Sequence, residues 1–225
     1  MHLRHLGSRR GIVLGLLAAP LAARQAAAAS PCCGPIAPDG ERLAAALDAS
    51  GVERLWQAGW HVNWRTGEVD RAAPHGPDAH THCSAFVAAM ADRFGIYILR
   101  PPEHSQQLLA NAQMRWLADE GAARGWRPVS RALEAQEAAN HGRFVVASYA
   151  NPDAHRPGHI AVLRPSLKSG PELERDGPQV TQAGNHNYLS TTMRRGFGSH
   201  PGAWEQGGRG AAAFFAHQAE RWPQA

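Results

Sequence analysis

The hydrophobic period of this chain changes once, near Gly142. Before that point apolar residues recur at helical spacing. After it they stand in short continuous runs separated by turn residues. Helical patterns followed by strands at hairpin-like spacing predict an α+β fold, with helices packed on a small antiparallel sheet, and argue against alternating βαβ units.

The clearest helix is predicted over Cys83 to Phe94. Cys83, Phe86, Val87, Met90 and Phe94 make one apolar stripe, and Gly95 is a natural stop. Helical spacing also runs from Glu41 to Trp56 and from about Glu103 to Ala118. Ser130 reads as the cap of a further helix through about Ala139. Ile96 to Leu99 is a short apolar run ended by Pro101-Pro102. The strand patterns are Arg143–Tyr149, His159–Leu163 and Gln179–Gln182. Gly170-Pro171 and Gly177-Pro178 read as breaks between the last two. Residues 59–82 look irregular, with a short strand around Trp60, Asn63 and Trp64. The segment from Gly210 to Trp222 reads as helix.

Residues 1–29 read as an export signal, with a basic start ending in Arg9-Arg10, an apolar stretch to Pro20, and a small-residue tract Ala26–Ala29 that suits cleavage. Ser8-Arg9-Arg10-Gly11-Ile12-Val13-Leu14 also resembles the twin-arginine motif. The expected location is periplasmic or extracellular. Residues 30–40, rich in Pro, Gly and Cys, read as a flexible tail, and 41–225 as a single domain. The 225-residue chain carries a formal charge of +4, but four of its 23 basic residues precede Ser30. Without them the body holds 19 basic and 19 acidic residues. A neutral body gives no electrostatic case for nucleic acid. No apolar run reaches the ~18 residues of a membrane span.

Three cysteines are present, Cys32, Cys33 and Cys83. Neighbouring cysteines rarely bond each other, so Cys32 and Cys33 are expected in other links or free. An odd count in an exported chain flags one thiol as reactive. Cys83 opens a helix, where the dipole and free N–H groups favour thiolate. From position alone, a buried structural cysteine is the commoner reading. His159 opens an apolar strand directly after Pro157-Gly158, a rigid edge of the kind a general base requires. Gln182 ends the next strand, and its amide oxygen can accept from an imidazole N–H. Asn185, His186 and Asn187 are rivals for that role.

The segments His82-Cys83-Ser84-Ala85-Phe86, Gly158-His159-Ile160-Ala161-Val162 and Val180-Thr181-Gln182 resemble the motifs of papain-like cell-wall amidases, the NlpC and CHAP groups. The resemblance covers about residues 60–190. It implies a papain-like domain over 41–225 and a cysteine amidase or endopeptidase acting on peptidoglycan. Cys83 would be nucleophile, His159 base and Gln182 the third polar residue, with no cofactor and no metal. The chain departs from the pattern in carrying His82 before the cysteine and Gln at the third position. Asn63 is the candidate second oxyanion donor beside the Cys83 N–H. Trp64 and Asn185 are candidate substrate-binding residues, and Trp60 with Trp64 would line a groove. A peptide or peptidoglycan substrate is the expected partner.

Two alternatives of other classes stand beside this. His75, Asp78, His80, His82 and Cys83 crowd together, with His186 available, and zinc accepts such ligands, although no common ligand spacing is present. The chain also reads as an exported, non-catalytic binding domain. Within the enzyme class, a transglutaminase-like acyl transfer uses the same residues.

Overall fold

A computed structural model describes residues 31–72, 75, 81–207 and 210–223. The proposed leader lies outside them. The elements in chain order are α1 (Pro38–Asp48), α2 (Cys83–Arg93), α3 (Leu109–Asp119), a 3₁₀ turn (Gly121–Arg124), β1 (Arg127–Val129), α4 (Ala132–Asn140), β2 (Phe144–Tyr149), β3 (His159–Leu163), α5 (Gly170–Asp176), β4 (Gln179–Gln182), β5 (Tyr188–Thr192), α6 (Met193–Gly196) and β6 (Ala213–His217). The strands form one antiparallel sheet in the order β1-β6-β2-β3-β4-β5. The α+β class is as the sequence implies. No helix among the described residues is long and apolar enough to cross a membrane.

The sheet is covered on both faces, which explains why its central strands read as continuous apolar runs. Along β2, Phe144 and Val146 face one core with Phe86, Met90, Phe94 and Trp126. Val145, Ala147 and Tyr149 face a second core with Ala135, Ala139, Met193 and Phe197. Every residue of β2 and β3 is buried. Helix α2 is itself buried from Cys83 to Ala91, because it lies under the sheet with α3 beside it. Its alanines allow that close approach on the sides away from the stripe.

Several elements differ from expectation. The tail helix expected after Gly210 is instead β6, which fills the gap between β1 and β2. The Gly170-Pro171 break is the first turn of α5. Proline is tolerated there, and Ser169 with Glu172 forms a capping box. The helix pattern from Glu41 stops at Asp48, and Gly51 to Trp56 is a turn. The second helix begins at Leu109, six residues later than its pattern, and the next after Arg131 rather than Ser130. Residues 60–64 contribute only an isolated bridge, Val62 to Val69.

Residues 31–40 are docked rather than loose. Cys32 and Cys33 are joined in a disulfide between neighbours, contrary to expectation. The pair is anchored on both sides: the Cys32 N–H donates to the Lys168 carbonyl at 2.9 Å, and Cys33 is buried. Asn140 ties this segment down. Its Nδ2 donates to the Ser166 and Cys33 carbonyls at 3.0 and 3.3 Å, and its Oδ1 accepts from the Ser166 N–H at 2.9 Å. Asn140→Ala strands several buried polar groups at once. It is expected to cost about 2–4 kcal/mol, read as a lower chemical-denaturation midpoint. A cost below about 0.5 kcal/mol would show that the network carries no stability.

Candidate functional site

Helix α2 begins without a side-chain cap, so its first N–H groups need other acceptors. The peptide N–H groups of Ser84 and of Cys83 itself point at the Cys83 sulfur, and so does that of Ile160 in β3. These donors favour thiolate. Burial opposes them and wins, pushing the Cys83 thiol above its ordinary range. The resting side chain is a protonated thiol beside three peptide donors. Cys83 is buried and not in a disulfide.

Ile160 is the residue after His159, so the thiol sits at the head of β3. His159 pairs with Tyr149 at the end of β2. The turn before it depends on Gly158, where an added Cβ would collide with the Tyr149 carbonyl and with Asn111 Oδ1. Asn111, buried on α3, holds this loop from below. Its Nδ2 donates to the Arg156 carbonyl and its Oδ1 accepts from the Asn151 N–H, both at 2.9 Å. Segment 96–142, which the motif resemblance leaves unmapped, thus supports the histidine loop.

The His159 ring is fixed on three sides. Nε2 lies 3.0 Å from Gln182 Oε1, Phe197 packs T-shaped on the ring with centroids 4.6 Å apart, and His200 stacks on it with centroids 5.1 Å and planes 17° apart. Gln182 Nε2 donates to the Gly196 carbonyl at 3.4 Å, which leaves Oε1 toward the imidazole. An amide oxygen only accepts, so the proton of the neutral ring sits on Nε2 and Nδ1 carries the lone pair. Burial pushes His159 down to about 4, partly offset by the Gln182 bond. Burial, then the His159 and Arg156 charges, push His200 to about 4 as well.

Two expectations follow. Gln182→Leu removes the acceptor, so nitrogen NMR of the imidazole is expected to change from a single Nε2–H form to a mixture of tautomers. Gln182→Glu is expected to restore the single form and raise the ring from about 4. An unchanged tautomer in the Leu variant would mean that another group fixes the ring. Stability should also depend on acid. Both imidazoles titrate near 6.5 when unfolded and lower when folded, so their contribution is present above about pH 6.5. It is lost as pH falls toward 4, by up to ~1.4 kcal/mol per pH unit for His159 and less for the partly exposed His200. Thermal midpoints between pH 7.5 and 4.5 read this, and His200→Phe should flatten the fall.

The remaining sequence candidates separate clearly. Asn185 is exposed and lies on the wall shared by two adjoining cavities, one at Cys83 and one at His159. His186 lines the second of these. Asn187 is structural: Nδ2 donates to the Val52 and Leu55 carbonyls at 2.7 and 2.8 Å, and Oδ1 accepts from the Gly184 N–H. Asn63 is exposed and closes a turn through Oδ1, which accepts from the Arg65 and Thr66 N–H groups. It lines neither cavity, so it is not placed as an oxyanion donor. Trp64 packs against the first core under Arg65 and Arg100, away from both cavities. Trp60 is exposed, with its ring 4.3 Å from that of His75.

His82 Nε2 donates to the Trp60 carbonyl at 2.7 Å. Among the described residues no three His, Cys, Asp or Glu side chains converge as metal ligands. Asp78 and His80 lie outside those residues. Sequence reasoning missed His200, Phe197 and Gly196. They follow β5 on a short helix and turn, and no local pattern ties them to a histidine at the head of β3. Compared with protein-family models and with curated proteins, the chain matches none.

Proposed function

We propose that this protein is an exported, papain-like cysteine amidase or endopeptidase of the NlpC or CHAP type, acting on peptide or amide bonds of peptidoglycan. The observation that carries the reading is the position of the Cys83 thiol at the Ile160 N–H, one residue along β3 from His159, whose imidazole Nε2 is held by Gln182. A cysteine nucleophile requires an imidazole to take its proton and a third polar group to fix that ring.

The pair starts neutral, because burial raises the thiol and lowers the ring. His159 Nδ1 therefore removes the thiol proton as Sγ attacks the carbonyl carbon, rather than resting as an imidazolium. The Cys83 peptide N–H stabilises the developing oxyanion. The C–N bond breaks as His159 returns the proton to the leaving amine, leaving a thioester on Cys83. Water, activated by the same Nδ1, adds to the thioester and releases the acid and the thiol. An amine in place of that water makes the reaction an acyl transfer, on the same residues.

The substrate assignment rests on the export signal and the motif resemblance, and the test addresses it directly. Purified peptidoglycan is incubated with wild-type and Cys83→Ala protein, and released fragments are read by mass spectrometry. New amines at stem-peptide bonds that need Cys83 are the expected result. Mass gain by added amines would redirect the reading to acyl transfer. Strong thiol labelling at Cys83 with peptidoglycan untouched would overturn the substrate.

A further inference from the structure

The two cavities meet along Thr81, Pro157 and Asn185 but differ in charge. The cavity at Cys83, of about 560 Å³, is lined by Leu108, Leu109, Gln106 and Gln107, and among the described residues its ionisable side chains besides the thiol are the imidazoles of His82 and His155. The cavity at His159, of about 720 Å³, carries the guanidinium groups of Arg156 and Arg195 and the imidazoles of His186 and His200. Among the described residues its one carboxylate is Asp153, whose Oδ1 accepts from the His155 N–H. Arg195 lies over the Tyr188 ring at 4.8 Å. Among the described residues neither Arg156 nor Arg195 is in an ion pair. The Arg156 charge reaches the site, since it is one of the causes that lower His200.

We propose that the cavity at His159 binds a free carboxylate on the leaving-group half of the substrate, through Arg156 and Arg195. This rests on the cysteine-amidase reading above. The leaving amine takes its proton from His159, so the released half departs on the His159 side. The acyl half stays as a thioester on Cys83, on the neutral side. A permanently cationic wall complements an anion on the released half, and guanidinium groups match a carboxylate in two-point geometry. The preferred substrate is therefore a peptide or amide whose released amine fragment ends in, or carries, a free carboxylate close to the cut bond. No positive charge is required on the acyl half.

Binding to Cys83→Ala protein, which cannot turn substrate over, tests this apart from catalysis. The probes are the dipeptide Ala-Glu and its uncharged-side-chain amide Ala-Gln-NH₂, titrated by calorimetry and by NMR of the histidine rings. Ala-Glu is expected to bind at least about tenfold more tightly and to shift the His200 and His159 resonances. That preference should fall about threefold in Arg195→Gln or Arg156→Gln, disappear in the double variant, return in part with Arg195→Lys, and weaken with salt. Equal affinity for the two probes, or an unchanged preference in the double variant, would overturn the carboxylate site. Ala-Glu binding that leaves the histidine resonances unmoved would overturn its location. If the preference holds while wild-type protein cleaves no amide, the amidase reading fails and the anion site stands.

Discussion

Cys83→Ala is expected to abolish turnover, by about 10⁴-fold or more, while the protein stays folded. The substitution deletes one buried sulfur from the start of a helix whose packing is carried by Phe86, Val87 and Met90. The cost to stability should be within about 1 kcal/mol. The same site predicts a chemical signature. Cys32 and Cys33 are bonded to each other, so alkylation of native protein by iodoacetamide should mark Cys83 alone. Because the thiol is raised by burial despite three peptide donors, the labelling rate should keep climbing with pH through 8 instead of levelling in the acid range. A plateau below pH 6 would mean a resting thiolate–imidazolium pair and would overturn the neutral thiol and imidazole that burial favours. Residual Cys83-independent turnover within tenfold of wild type would remove Cys83 from the mechanism altogether.

What the sequence disclosed, and what it did not, follows from the range of the interactions involved. The stripe from Cys83 to Phe94 and the strand His159–Leu163 were legible because each is specified within one element, and both stand where the spacing places them. Gln182 was nameable because β4 follows β3 across a single connection and pairs with it directly. The segment Gly210 to Trp222 reads as helix because its period is ambiguous, yet it holds β6. Its strand state comes from filling a slot between β1 and β2, two elements far away in sequence. The His200 stack on His159 and its T-shaped contact with Phe197 arise from residues that follow α6, and they leave no periodic trace. Asn63 illustrates the opposite error. An Asn near the site in sequence is spent on its own turn, the commonest use of that side chain.

The Gly-His motif carries a second large effect, and the geometry says which glycine matters more. Gly158→Ala places a methyl group against the Tyr149 carbonyl and Asn111 Oδ1. The first is backbone of β2. The second already accepts from the Asn151 N–H and cannot turn away without stranding it. Neither yields, so the head of β3 must shift, carrying His159 with it. Misplacement of a reacting group by about 1 Å costs about 10²-fold, and the overpacking itself costs about 1–3 kcal/mol. Gly196→Ala instead meets Gln182 Oε1, the far end of a side chain that can rotate. It should loosen the ring's anchor and lower the rate with little change in stability. Gly170→Ala is the control: its methyl group would approach only Cys32 Cβ, at 3.9 Å, within α5. There alanine should be neutral or add up to about 1 kcal/mol. Rates and denaturation midpoints for the three variants give the ordering: Gly158→Ala loses both rate and stability, Gly196→Ala loses rate, and Gly170→Ala loses neither. A Gly158→Ala protein with normal rate and midpoint would show that the loop before His159 is not the rigid edge on which its position depends.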